Sequence, residues 1–141
     1  DVNKIWSVRE NSSTAFRKIP KRMNFDVSIN LHEMEAFTTK LNQRLLNQKE
    51  VDEILFFGHL GDNNLHAVMI CNDYSDKIKN DFYNLVSEFN GSISAEHGIG
   101  LEKKPYLHFS RSEEEINLMK QLKSKLDPNN ILNRNRIFNI N

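Results

Sequence analysis

Val51-Asp-Glu-Ile-Leu-Phe-Phe-Gly-His-Leu-Gly-Asp-Asn-Asn-Leu-His-Ala-Val-Met-Ile-Cys71 is the stretch on which the fold turns. An apolar run from Val51 to Phe57 stops at Gly58, and a second, Leu65 to Cys71, starts after Gly61-Asp62-Asn63-Asn64. Turn-forming residues between two short apolar runs predict two antiparallel strands, about 52–58 and 65–71, joined by a tight connection. Upstream, Met23 to Ile29 alternates apolar and polar residues, the pattern of a half-buried strand. Asn30 with Glu33 three residues on reads as a capping box, and Leu31, Met34, Phe37, Leu41 and Leu45 recur at helical spacing, predicting a helix to about Asn47. Downstream, Ile78, Phe82, Leu85, Val86 and Phe89 mark an amphipathic helix that ends before Gly91, and Ser92 to Ala95 reads as a short strand.

The predicted order is therefore strand, helix, strand, strand, helix, strand. That is an α+β, ferredoxin-like plan: an antiparallel sheet with helices on one face. A C-terminal helix is appended. Ser112 and Glu115 form its capping box, Glu113-Glu114-Glu115 suits the positive helix start, and Ile116, Met119, Leu122 and Leu126 are its expected buried stripe before Pro128 stops it. Residues 1–22 carry no decisive pattern, although Ile5 to Phe16 is compatible with a helix and Trp6 reads as a core residue.

With 141 residues the chain is one domain, residues 1–141, able to bury a real core. Nineteen lysines and arginines balance nineteen aspartates and glutamates, so no broad electrostatic footprint for nucleic acid or anionic membrane exists. No stretch reaches the roughly 18–20 apolar residues of a membrane span, and no leader opens the chain. Cys71 is the one cysteine; it cannot form an internal disulfide, which fits a reducing compartment such as a bacterial cytoplasm or a mitochondrial matrix rather than secretion. The first residue is Asp1, not methionine, so the expectation is the end of a longer protein.

His59 and His66 flank the connection between the two strands, and Glu96-His97-Gly98-Ile99-Gly100 follows thirty residues later. Residues facing each other across an antiparallel pair have Cβ atoms roughly 5 Å apart, close enough for two imidazoles to hold one ion at about 2.0–2.1 Å per bond. Two imidazoles and the Glu96 carboxylate would leave coordination positions open, as catalysis needs, and His97, off the ion, would serve as a general base. The bland readings are solvated histidines at a strand end and a glycine-rich turn with solvated polar side chains. Arg9-Glu10 reads as a surface pair or an anion contact, and Lys103-Lys104 as a solvated pair or a contact to a carboxylate or phosphate.

The motifs His59-Leu-Gly-Asp-Asn-Asn-Leu-His66 and Ala95-Glu-His-Gly-Ile-Gly100, together with Trp6–Glu10, Asp26–Ser28, Lys103 and Leu126-Asp-Pro-Asn-Asn-Ile-Leu-Asn133, fall in the order and spacing of a known family. The chain resembles the C-terminal portion of FAD-linked oxidases with a vanillyl-alcohol-oxidase-type fold, such as D-2-hydroxyglutarate dehydrogenases, D-lactate dehydrogenases and the glycolate oxidase flavin subunit. The resemblance implies that His59, His66 and Glu96 ligate a divalent ion, zinc or else manganese or iron, which polarises the hydroxyl of a 2-hydroxy acid. It implies that His97 takes the hydroxyl proton while hydride passes to the flavin. It further implies that Arg9 pairs with a substrate carboxylate, and Ser13 stands where some members carry a threonine with a similar duty.

Several residues depart from the family pattern. Asn63 replaces a turn glycine, a change that asparagine tolerates. Asn24 stands in place of a substrate-binding lysine, Asn30 of a proline, Val68 of an asparagine, and Arg134-Asn135 of a Pro-Gly-like pair. These leave the substrate open among D-2-hydroxyglutarate, D-lactate and glycolate. The family binds FAD mainly through an N-terminal domain that this chain does not contain, so the domain by itself is expected to be inactive, with that domain as its partner and the electron acceptor unspecified. Two rivals are a degenerate relative in which the ligands survive as a metal clamp in an interaction module, and a metal hydrolase.

Overall fold

The computed structural model describes residues 2–140, apart from the side chains of residues 9, 12–15 and 17. Three strands, β1 (Arg22–Ser28), β2 (Val51–His59) and β3 (Asn64–Cys71), form an antiparallel sheet in the order β1-β3-β2. Around it lie α1 (Val2–Arg17), α2 (Met34–Leu45), α3 (Asp76–Glu88) and α4 (Glu113–Leu126). The α+β class and the antiparallel sheet are as the sequence predicts.

Register sorts the side chains into two faces. Met23, Phe25 and Val27 pair with Met69, Ala67 and Leu65, and Ile54 lies opposite Met69. Successive side chains alternate across a strand, so these form one apolar face. Phe37, Leu41 and Leu45 of α2 and Ile78, Phe82, Leu85 and Val86 of α3 belong to the same buried cluster. Phe25 stacks on Phe82 with centroids 3.8 Å apart, and Phe37 meets Phe82 edge-on at 6.2 Å. Truncating one such buried phenylalanine to alanine costs about 3–5 kcal/mol. The opposite face carries Arg22, Asn24, Asp26 and Ser28 on β1, facing Ile70, Val68, His66 and Asn64 on β3.

The fourth strand predicted at Ser92–Ala95 shrinks to one bridge. Ser28 and Ser92 exchange both backbone hydrogen bonds at 2.9 Å. Beyond that point the donors and acceptors go elsewhere. Ile93 N–H donates to Ser110 Oγ at 2.8 Å, and the Asp26 carbonyl, which points off the same sheet edge as that of Ser28, accepts from Lys103 Nζ at 3.0 Å. A side chain occupies the edge that a strand would need.

The helix termini follow local chemistry. Asn30 accepts from His32 N–H and opens a single 3-10 turn, Leu31–Glu33, before α2. Ser112 and Glu115 make the reciprocal capping box of α4. The predicted buried stripe of α4 is not buried: Leu122 and Leu126 are exposed, and no described residue of α4 is buried. An apolar stripe is covered only where another element faces it. Residues 1–22 do contain a helix, but Trp6, read as core, is exposed on it for the same reason. Among the described residues no helix is long and apolar enough to cross a membrane.

Candidate metal and substrate site

One row of the open face holds the chemistry. Asp26 on β1 faces His66 on β3, and His66 faces Phe57 on β2. Above this row the segment after the Ser92 bridge brings in Glu96 and His97. Gly98 lets the segment fold back with φ +70°, a conformation that a side chain would strain. The ligand-type atoms of Asp26, His66, Glu96 and His97 all lie within 4.8 Å of one another. His66 Nε2 is 3.3 Å from Glu96 Oε1, His97 Nε2 is 3.5 Å from the same oxygen, and His66 Nδ1 is 3.8 Å from Asp26 Oδ1.

Asp26 organises this cluster. Its Oδ2 accepts from the backbone N–H of Glu96 at 3.3 Å and of His97 at 3.1 Å, from Ser94 Oγ at 3.3 Å and from Lys103 Nζ at 3.2 Å. Burial pushes its pKa up, but the His97 N–H, the Lys103 charge and hydrogen bond, and the Glu96 N–H outweigh that and hold the carboxyl below the ordinary aspartate value. Asp26 Oδ1 is buried without a hydrogen-bond partner. A buried carboxylate oxygen left unpaired is costly, and this one is turned toward His66.

That orphaned oxygen and the mixed nitrogen and oxygen donors fit a divalent first-row ion such as zinc, manganese or iron. Two ligands on one ion, each bonded at about 2.0–2.2 Å, lie at most about 4.4 Å apart, so the four side chains are within a few tenths of an ångström of that reach.

The structure brings together His66, Glu96 and His97 and adds Asp26. His59 stands differently from its expected place: it faces Asn64, not His66, because the connection is a 3-10 turn, Leu60–Asp62, closed by Asn63 at φ 63°. The two histidines are diagonal neighbours on one face, with ring centroids 6.4 Å apart, and His59 lies outside the four-residue set. Arg9 and Ser13 have side chains outside the described residues.

Asp26 and Lys103 were not singled out as site residues by sequence. Asp26 occupies a position that alternation assigns to solvent, and Lys103 looks like half of a solvated pair, yet its side chain is only 11% exposed. Lys104 points away to the carbonyl of Asn135. Phe57 was also missed. It lies over His66 with centroids 4.9 Å apart and is stacked in turn by Phe16 of α1 at 5.0 Å.

A cleft of about 520 Å³ opens over the cluster, walled by Phe16 and Phe57 on one side and running past Asn24 to Arg22 and Tyr83 along β1. This is the size of a small-molecule site. Burial, aided by the charge of Glu102, keeps the Tyr83 phenol protonated far above the ordinary tyrosine value.

The family described as FAD linked oxidases, C-terminal domain, matches residues 1–137. A protein of Oryza sativa subsp. indica named "Probable D-2-hydroxyglutarate dehydrogenase, mitochondrial" is 37% identical over 141 residues, which cover 97% of this chain and 25% of that protein. The D-2-hydroxyglutarate dehydrogenase of Stutzerimonas stutzeri is 35% identical, covering 97% of the chain and 31% of its own length. A D-2-hydroxyglutarate-pyruvate transhydrogenase of Saccharomyces cerevisiae is 33% identical over 94% of the chain and 29% of its own length. The chain thus spans about a quarter to a third of the curated relatives it matches.

Proposed function

Because the chain belongs to the family of FAD linked oxidases, as their C-terminal domain, we propose that it supplies the metal- and substrate-binding half of an active site that oxidises a D-2-hydroxy acid to the 2-oxo acid. The observation that carries this reading is the clustering of ligand atoms of Asp26, His66, Glu96 and His97 within 4.8 Å of one another, with Asp26 Oδ1 left unpaired, in a small-molecule cleft. When bound, a divalent ion would supply Lewis-acid polarisation of the substrate hydroxyl, and FAD, held mainly by the rest of the parent protein, would supply the hydride acceptor.

The chain's own residues do the rest. His66 and Glu96 would hold the ion beside Asp26 Oδ1, with His59 as the further imidazole from the diagonal position. His97, its side chain 66% exposed, has the freedom to meet the substrate and takes the hydroxyl proton on a ring nitrogen. Asp26 fixes the backbone of Glu96 and His97, so both side chains start from a held position. Phe57 and Phe16 wall the cleft and limit water. Arg9 and Ser13, from α1, receive the substrate carboxylate.

The names of the relatives favour D-2-hydroxyglutarate over D-lactate and glycolate as the substrate, and a mitochondrial or bacterial setting. Elemental analysis of the full-length flavoprotein tests the reading. About one zinc, manganese or iron per chain, lost in His66→Ala and Glu96→Ala together with oxidation of D-2-hydroxy acids, is the expected result. Metal retained without any turnover would instead favour the clamp in an interaction module.

A further inference from the structure

The two ring nitrogens of His66 face different carboxylates. Nε2 is 3.3 Å from Glu96 Oε1, and Nδ1 is 3.8 Å from Asp26 Oδ1. An ion shared by His66 and Glu96 takes the Nε2 side, and a neutral imidazole that binds through Nε2 must carry its proton on Nδ1. That N–H then faces Asp26 Oδ1, which is buried and has no hydrogen-bond partner.

Asp26 is better placed to accept this proton than to bond the ion. Its other oxygen, Oδ2, is taken by Ser94 Oγ, by the backbone N–H of Glu96 and of His97, and by Lys103 Nζ. An ammonium 3.2 Å from the carboxylate repels a divalent ion there. The same donors fix the carboxylate, so that Oδ1 is held toward the ring. Phe57 lies over the imidazole, with centroids 4.9 Å apart and planes inclined at 30°, and restricts its rotation. The 3.8 Å gap is longer than a hydrogen bond, but the hydrogen bonds of an active site often tighten only when the reacting complex forms.

From this geometry we infer that Asp26 is the positioning residue of His66: Oδ1 accepts the Nδ1–H, fixes the tautomer that leaves Nε2 for the ion, and stays outside the coordination sphere itself. This rests on the reading of the cluster as the metal site of a 2-hydroxy acid dehydrogenase. One carboxylate then serves both halves of the cluster, Oδ2 holding the backbone of Glu96 and His97, and Oδ1 the ring of His66. A carboxylate behind a metal-bound imidazole also raises the basicity of the ligating nitrogen.

Zinc affinity of the full-length flavoprotein, measured by competition with a chelator, tests this without turnover. The comparison is Lys103→Met against the double variant Lys103→Met, Asp26→Asn, because with the lysine charge already gone the second change strands no cation. The double variant is expected to bind zinc about ten- to a hundredfold more weakly than Lys103→Met, while its chelator-treated form melts at a higher temperature, since a buried unpaired charge has been removed. Equal zinc affinities, or weaker binding accompanied by a lower melting temperature, would overturn the assignment and leave Asp26 as a purely structural tether. A crystal structure of the zinc-loaded flavoprotein with an Asp26 oxygen bonded to the ion would overturn it as well. A wild type that binds no zinc would sink the metal reading together with this one. Zinc affinity that depends on Asp26, in a protein that oxidises no 2-hydroxy acid, would uphold the positioning role and sink the dehydrogenase reading alone.

Discussion

Lys103 Nζ holds Asp26 at two points, the carboxylate Oδ2 at 3.2 Å and the backbone carbonyl at 3.0 Å, and reaches Ser94 Oγ at 3.1 Å as well. The pair is inside the protein, with side chains 11% and 7% exposed. Removing one partner of a buried pair leaves an uncompensated charge and costs about 3–5 kcal/mol. Lys103→Met is therefore expected to lose stability on that scale by denaturant unfolding. The double variant Lys103→Met, Asp26→Asn should recover part of it, since no charge is then stranded; full additivity of the two losses would disprove the coupling.

Zinc should stabilise the folded chain by linkage, about 2.7 kcal/mol when free zinc is a hundredfold above its dissociation constant. Thermal melts with and without zinc give the measurement, and a chelator should reverse the shift. His66→Ala should melt at one temperature in both conditions. An undiminished zinc shift in that variant would remove His66 from the ligand set.

Asp127 closes α4 by accepting from the N–H of Ile131 at 3.0 Å and of Leu132 at 2.9 Å, and by pairing with Lys123. The Lys123 hydrogen bond and the two N–H donors hold its pKa at about 2, against about 3.9 for an unfolded aspartate. A depressed carboxylate contributes stability that is fully present above the unfolded value and lost as pH falls through the folded value. Amide exchange protection at Ile131 and Leu132 should thus hold at pH 5 and decay from about pH 4 toward pH 2. In Asp127→Asn that pH dependence should vanish; its persistence would place the titrating group elsewhere.

Gly58 on β2 lies opposite Leu65 on β3. A Cβ there would meet the carbonyl oxygen of Asn64 at 2.2 Å, a backbone atom that cannot swing aside. Gly58→Ala should push the strands apart, at a cost of about 1–3 kcal/mol typical of overpacking, and shift the amide resonances of Asn64 and Leu65. A melting temperature equal to the parent's would show that the hairpin yields without strain.

The helix stripes of α2 and α3 and the two strands around residues 59–66 were legible because each reports on its own neighbours: Phe37, Leu41 and Leu45 must share a face, and the glycine and asparagine turn must reverse the chain. The site was legible in part. His66, Glu96 and His97 stood out by type and spacing, whereas Asp26 and Lys103 are 77 residues apart, and no local pattern reports a buried pair at that separation. The fourth strand failed for the same reason, since Ser92–Ala95 has strand character but Lys103 already takes the edge acceptor. In α4 the pattern of Leu122 and Leu126 was read correctly as apolar, but periodicity cannot say whether anything lies across from it.

In β1, the odd positions Met23, Phe25 and Val27 build the interior while the even positions Arg22, Asn24 and Asp26 face the cleft. Scaffold and chemistry are thus written on one strand in alternate letters, and an inserted or deleted residue between Met23 and Asp26 would transpose the two messages for part of the strand. Substitutions can retune the cleft at its even positions one at a time, but a change of length in this strand would sacrifice interior and site together.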